Sequence, residues 1–173
     1  MARFSFRLSI ACSLAGLILG VSVAGAVAIK VDPNGFNNYA WGMSASKYPQ
    51  LKLFNNLGAT EVFKKVELYE NPEEAQTLKG VPVVRSQYRF CDDQLESISF
   101  RFEGREHRDA LMQWLEDEYG KLVGRERGWK MVQWIGDDTT IALSFDNSTQ
   151  KGSLWFLSRY LNNLYNETVS MTD

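Results

Sequence analysis

Residues that could carry out acid–base or nucleophilic chemistry are few in this chain of 173 residues. His107 is the only histidine, and Cys12 and Cys91 are the only cysteines. A zinc site, or a cysteine nucleophile activated by histidine, needs more partners than these side chains supply. The acidic pairs at 92–93 and 137–138 lack the ligand spacing of a calcium loop and are typical of turns. We therefore predict a protein without a catalytic site, a metal ion or a cofactor.

Binding through aromatic side chains is better supported by a stretch near the carboxyl end. Between residues 129 and 160, apolar runs rich in aromatic and β-branched residues alternate with polar turns, which predicts three strands. A two-residue Asp-Asp loop would place Trp134 opposite Ile141 and Val132 opposite Leu143. These four side chains would form one apolar face.

The opposite face of these strands is also apolar and is the first candidate binding face. Its four members are Trp129, Met131, Trp155 and Leu157. A sheet that is apolar on both sides must be covered on both sides or must present a patch. A helix or the amino-terminal segment could cover this face. Alternatively, the face is a surface for a partner or a ligand.

A second hairpin, predicted between residues 81 and 103, carries two contrasting faces. With a three-residue loop, Tyr88 would lie opposite Ile98, and Phe90 opposite Glu96. This face is largely apolar and is expected to point to the core. The other face is expected to be polar, because period-2 alternation separates the two sets of side chains.

That polar face gathers three arginines, which form the secondary candidate: Arg85, Arg89 and Arg101. Arg85 would lie opposite Arg101, and such a like-charge pair is unfavourable unless an acid such as Glu67 lies beside it. Guanidinium groups bind carboxylates in a bidentate manner, so the three side chains could form an anion-binding surface. The alternative is a solvated outer face without a ligand.

Two helices are predicted beside these strands. Residues 104–119 place apolar side chains at helical spacing and end at Gly120. The other predicted helix lies within residues 44–57: Ser44 or Ser46 can cap it, Pro49 falls in its first turn, and Gly58 ends it. Residues 61–69 are predicted to form a further strand before the second hairpin. The order helix, three strands, helix, three strands predicts an α+β fold: an antiparallel sheet of about six strands with two helices, in an (αβββ)2 layout.

The amino terminus has the pattern of a targeting segment. Arg3 and Arg7 precede an apolar run from Leu8 to Val23, and small residues close the segment. We predict a signal peptide over residues 1–28, with an uncleaved membrane anchor as the alternative. The expected location is export, to the periplasm of a Gram-negative host or to the medium.

The remaining chain is expected to form one domain. Residues 44–160 make up this domain, with 44–103 and 104–160 as a pseudo-repeat. Residues 29–43 are an extended lead-in, and 161–173 are a tail. The formal net charge of −2 becomes more negative without the two leader arginines. Nucleic-acid binding is therefore not expected, because it needs a basic stripe.

A short motif links the chain to known exported proteins. Trp41-Gly42-Met43-Ser44, placed before a predicted helix and strands, resembles the opening of SmpA-type outer-membrane-assembly lipoproteins and of β-lactamase-inhibitor-protein-like domains. The lipid-attachment cysteine of the lipoproteins is absent. The layout also resembles exported bacterial proteins of unknown function, with Trp134, Gly136-Asp137 and 141–143 matching their carboxyl-terminal pattern. The resemblance implies a fold and a compartment, and no activity.

We therefore predict an exported, non-catalytic binding or accessory module of the cell envelope, with another envelope protein as its partner. One alternative is an inhibitor of a hydrolase, which rests on fold-level analogy. Another is a carbohydrate or hydrophobic-ligand binder that uses Trp129 and Trp155. An enzyme of unrecognised type and a homodimer formed through the second apolar face are further alternatives. Contact with a membrane is expected only through an uncleaved leader.

Overall fold

The computed structural model of the chain describes residues 26–74, 77–123, 128 and 130–170, and from residue 165 onward only the backbone. The strands in these ranges are β1 (Ala26–Ala28), β2 (Gly35–Phe36), β3 (Tyr39–Ala40), β4 (Lys52–Gly58), β5 (Val66–Glu70), β6 (Thr77–Leu78), β7 (Val81–Pro82), β8 (Arg85–Cys91), β9 (Gln94–Glu103), β10 (Met131–Ile135), β11 (Thr139–Asp146) and β12 (Lys151–Ser158). The helices are a 3-10 turn at Ala45–Lys47, α1 (Arg105–Tyr119) and α2 (Arg159–Ser170).

One large sheet forms the body of the protein. Its eight strands follow the order β1-β10-β11-β12-β9-β8-β5-β4, in which β1 is parallel to β10 and the other neighbours are antiparallel. β2 with β3 and β6 with β7 form two small ribbons. The chain is therefore mainly β, and the predicted α+β class, with about six strands in an (αβββ)2 layout, is wrong.

The first predicted helix, at residues 44–57, is the main source of this error. Ser44 caps only the short 3-10 turn, where its side chain accepts a hydrogen bond from the N–H of Ser46 at 3.2 Å. Helical geometry is disfavoured at Tyr48, because the next residue is Pro49. The chain then becomes extended and forms β4, an edge strand that pairs irregularly with β5.

The helix predicted over residues 104–119 is confirmed, and α1 covers one face of the sheet. Its buried side chains include Leu111, Met112 and Leu115, which join the apolar core of the sheet. Gly120 ends the helix at a φ of 133°, which glycine adopts without strain. We call the sheet face under α1 the inner face and the opposite one the outer face.

The inner face has the register that the sequence predicts. The confirmed cross-strand pairs are Val132–Leu143, Trp134–Ile141 and Tyr88–Ile98. Trp134 is fully buried, and its Nε1–H donates a hydrogen bond to the carbonyl oxygen of Gly120 at 2.8 Å. This bond joins β10 to the end of α1 and satisfies the polar atom of the buried ring.

The turn between β8 and β9 is one residue shorter than predicted. Asp92 and Asp93 both have a positive φ, 47° and 63°, which fits a two-residue type I′ turn. A bulge then shifts the register, so Phe90 lies opposite Leu95 and the predicted Phe90–Glu96 pair is wrong. The bulge leaves Glu96 buried, with 2% of its surface exposed.

The predicted signal peptide, residues 1–28, lies mostly outside the described residues, which begin at 26. Ala26–Ala28 form β1, and Val27 packs against the core. Cleavage after Ala28 would remove a strand from the sheet, and nothing in the described ranges indicates a signal peptide or a periplasmic location. No helix within these ranges is long and apolar enough to cross a membrane.

The segments predicted as a lead-in and a tail both contribute to the packing. Within 29–43, β2 and β3 form a ribbon, and the ring centroid of Phe36 lies 4.3 Å from that of Phe156. Residues 161–170 belong to α2, and Leu161 is buried. The lead-in is thus part of the core on the inner side, and α2 begins directly at the end of β12.

Candidate binding face

The outer face is organised in rows, because residues that lie opposite each other on neighbouring strands share a face. The middle row crosses five strands and consists of Gln133, Ala142, Trp155, Ser99 and Gln87. Trp155 is half-buried between the small side chains of Ala142 and Ser99. Its indole ring is therefore the largest group at the centre of the outer face.

Two further rows flank the middle one. On one side the row consists of Met131, Ser144, Ser153, Arg101 and Arg85. On the other side it consists of Ile135, Thr140, Leu157, Ser97 and Arg89. The outer face is therefore apolar toward β10 and β12 and basic toward β8, with hydroxyl groups between.

The structure brings the two predicted candidate surfaces together on this face. Met131, Trp155 and Leu157 lie on β10 and β12, and the three arginines lie on β8 and β9. Because β12 pairs with β9, Trp155 lies diagonally across from Arg101. Trp129, the fourth member of the first candidate, lies outside the described residues.

The outer face is partly accessible: Met131 and Arg101 are exposed, and most of the other residues in the three rows are half-buried. The expected cover by a helix does not come from α1, whose buried residues join the inner core. α2 covers one end, where Leu161 packs in a cluster with Phe63, Val66 and Cys91. Met131 is 41% exposed, and the part of the chain described here places no other helix on this face.

The three arginines differ in their partners. The guanidinium of Arg85 lies 3.2 Å from a carboxylate oxygen of Glu70, and that of Arg89 lies 3.3 Å from Glu96. Arg101 is exposed and has no carboxylate within 4 Å among the described residues. The predicted partner Glu67 instead pairs with Lys65 at 2.9 Å.

A cleft of about 340 Å³ opens beside Arg101, along the middle of the row that contains Ser144 and Ser153. Two lysines line it together with Arg101, namely Lys130 and Lys151. Two acids, Glu103 and Asp146, also belong to its wall. The cleft therefore combines three positive charges, two negative charges and two hydroxyl groups.

Asp146 is engaged by the turn that follows it. Its Oδ1 accepts hydrogen bonds from the hydroxyl of Ser148 at 2.6 Å and from the N–H of the same residue at 2.8 Å. These bonds hold the pKa of the Asp146 carboxyl below its usual value. The residue is therefore a fixed negative charge of the wall, and its Oδ1 already accepts hydrogen bonds within the turn.

His107 and Cys91 both have contacts within the fold. His107 Nδ1 lies 2.5 Å from the carbonyl oxygen of Glu103. Cys91 is fully buried, and burial raises the pKa of its thiol to about 12, so it is protonated and poorly nucleophilic near neutral pH. Within the described ranges, no three His, Cys, Asp or Glu residues are grouped as metal ligands would be.

No family model, no curated protein and no solved structure matches this chain. The resemblance to exported bacterial proteins therefore stays a prediction, although the α+β fold that it implied is wrong. The site has to be interpreted from its own geometry.

Sequence reasoning missed the lysines and the acid that complete this face. β12 begins at Lys151, which shares the alternation of Ser153, Trp155 and Leu157. That alternation was the signal that could have found it. Glu96 was missed because a one-residue bulge, which the sequence does not reveal, turns it toward Arg89.

Proposed function

We propose that this protein is a non-catalytic binding module that binds another protein through the outer face of its sheet. The observation that carries the proposal is the register, which gathers the half-buried Trp155 and Leu157 and the exposed Met131 beside Arg101 on one face. Tryptophan and arginine are the side chains that most often dominate the energy of protein interfaces. The surrounding serines and alanine leave room for a partner to approach the indole ring.

The dimensions of the face indicate a modest interface. Five strands at a spacing of about 4.8 Å, and three rows about 6.7 Å apart, give a surface of roughly 20 by 15 Å. This is less than half of the about 800 Å² that one partner contributes to a standard interface. We therefore expect a transient complex, or one in which loops at the sheet edge also take part.

Export to the cell envelope belongs to this proposal and rests on the amino-terminal sequence alone. Fractionation of host cells that express the full chain with a carboxyl-terminal tag tests it. Recovery of the protein outside the cytoplasm supports the proposed location. Recovery in the cytoplasmic fraction alone contradicts the location and leaves the binding proposal unchanged.

The test of binding is capture of a partner by the tagged full chain, with Trp155→Ala as the variant. Tyr160→Ala is the matched control, because Tyr160 is a 70% exposed aromatic residue on α2 outside the three rows. We expect Trp155→Ala, but not Tyr160→Ala, to lose at least tenfold in affinity while circular dichroism shows a folded protein. Equal binding of the partner by both variants would show that the binding site lies elsewhere on the protein.

Carbohydrate binding is a second candidate, because the row of Trp155 has an amide of Gln133 at one end and the hydroxyl of Ser99 beside the ring. Sugars are expected to shift the tryptophan fluorescence in a saturable way if this is correct. The shift should be absent in Trp155→Ala.

The homodimer through the same face is tested by light scattering, in which Trp155→Ala would convert a dimer to a monomer.

A further inference from the structure

We propose that the cleft beside Arg101 binds a single carboxylate from an aspartate or glutamate side chain of the protein partner. This inference rests on the proposed function of the outer face and names the chemistry of the partner. The occupant we infer is an extended segment in which an apolar residue lies two positions from the acidic one. The carboxylate would lie in the cleft, and the apolar side chain would lie on Trp155.

The position of Arg101 is the first argument. Arg85 lies directly opposite on β8, so the two guanidinium groups repel each other. Arg85 is held by Glu70 and stacks on the ring of Phe54 at 4.8 Å, on the side away from β9. Arg101 lies next to Ser153 on its other side and lines the cleft. Its guanidinium is thus available to an external anion.

The charge of the cleft is the second argument. Arg101, Lys130 and Lys151 supply three positive charges, and Glu103 and Asp146 supply two negative ones. One external negative charge balances this set. A carboxylate carries that charge and fits the planar guanidinium in a bidentate manner. A phosphate dianion would bring excess charge close to the two acids, and we expect it to bind less well.

The spacing between the cleft and Trp155 is the third argument. Ser153 in the cleft wall and Trp155 are two residues apart on β12, and both point to the outer face. Residues i and i+2 of an extended chain are separated by the same distance, about 6.7 Å. An extended segment can therefore place an acidic side chain over Ser153 and Arg101 and an apolar one over Trp155 at the same time.

The test uses two synthetic peptides, blocked at both ends, with the sequences Thr-Glu-Thr-Leu-Thr-Thr and Thr-Gln-Thr-Leu-Thr-Thr. Binding to the full chain is followed by NMR at the Arg101 Nε–H and the Trp155 indole N–H. We expect the glutamate peptide to shift both signals and to bind at least tenfold more tightly than the glutamine peptide. Inorganic phosphate is expected to shift the Arg101 signal less than the glutamate peptide does at equal concentration.

Two variants, Arg101→Gln and Trp155→Ala, and one control variant separate this inference from the proposed function. Arg101→Gln should remove the preference for the glutamate peptide, whereas Lys47→Gln, which deletes an exposed charge near β4, should keep it. Trp155→Ala should weaken both peptides equally. If both peptides bind with equal affinity and shift only the signal of the Trp155 indole N–H, the proposed carboxylate site is wrong. The proposed function of the outer face is then unaffected. If phosphate binds as well as the glutamate peptide, or neither peptide binds, the inference is overturned.

Discussion

Arg85 and Arg101 lie directly opposite each other on neighbouring strands, and only Arg85 has an acidic partner in the described chain. Like charges in this position are destabilising by about 0.2–1 kcal/mol. We predict that Arg101→Gln raises the free energy of unfolding by this amount in low salt, measured by urea denaturation. The gain should shrink in about 1 M salt, because the repulsion is screened.

The matched control for this prediction is Arg85→Gln. It removes the same repulsion, but it also removes the contacts with Glu70 and Phe54. We expect no gain in stability from it. A loss of stability in Arg101→Gln would show that Arg101 has a structural partner and would weaken its assignment to binding.

The Arg89–Glu96 pair should behave differently, because Glu96 is buried. Its carboxylate accepts hydrogen bonds from Arg89 at 3.3 Å and from the hydroxyl of Ser97 at 2.6 Å. We predict that Arg89→Met lowers the free energy of unfolding by about 1–3 kcal/mol, because a buried charged acceptor loses a partner. The additional substitution Glu96→Gln should recover part of the lost free energy of unfolding.

Arg85→Met provides the comparison for that measurement. The side chains of Arg85 and Glu70 are 40% and 29% exposed, so breaking this pair should cost less than about 1 kcal/mol. Equal losses in Arg85→Met and Arg89→Met would contradict the role of burial. Both variants are measured by urea denaturation at neutral pH.

The hairpins could be predicted from the sequence because alternation and turn composition are local signals. Val132 and Trp134 were placed opposite Leu143 and Ile141 correctly, since a two-residue loop fixes the register. The first helix could not be predicted correctly. The apolar spacing of residues 51–57 fits a helix, but pairing with β5 decides the outcome, and that contact is not local.

The candidate site was predicted in two parts and not as one surface. Trp155 and Arg101 belong to different hairpins, and α1 separates these hairpins along the chain. Local patterns place each side chain on a face, but they do not say which strands become neighbours. The pairing of β12 with β9 joins the two parts, and the packing of both hairpins beneath α1 determines it.

The free energy of unfolding should decrease in alkaline solution. The reason is that a buried thiol and two buried phenols keep their protons to a higher pH in the folded state than in the unfolded state. Burial raises the pKa of the Cys91 thiol to about 12 and also raises the pKa values of the Tyr88 and Tyr119 phenols. The unfolded chain loses these protons first, the thiol near pH 8.5 and the phenols near about pH 10. Above about pH 8.5 the unfolded state therefore binds fewer protons, and stability decreases as pH rises.

Urea denaturation at about pH 7.5, 9 and 10.5 measures this slope, which is at most about 1.4 kcal/mol per pH unit for each group. Cys91→Ala should reduce the slope between about pH 8.5 and 10, whatever its effect on stability at neutral pH. An unchanged slope would show that Cys91 ionises in the folded protein as it does in the unfolded one. Slow reaction of the native thiol with a disulfide reagent is the independent check.

The strand β1 leads to the last prediction. Ala26–Ala28 pair with Gln133–Ile135 at the edge of the sheet, and the N–H of Ile29 donates to the carbonyl oxygen of Ile135 at 3.1 Å. Val27 also packs near Gly120 at the end of α1. Removal of these residues exposes β10 as an edge strand and uncovers part of the core.

We therefore predict that a chain starting at Ile29 is less stable than one starting at Ala26 by about 1–2 kcal/mol, since it loses the half-buried side chain of Val27 and the parallel ladder. Thermal and urea denaturation of the two chains measure the difference, and light scattering should show more self-association for the shorter one. Val31→Ala in the longer chain is the control, because Val31 is 76% exposed. Equal stability of the two chains would show that β1 contributes nothing to the sheet, and cleavage after Ala28 would again be compatible with the fold.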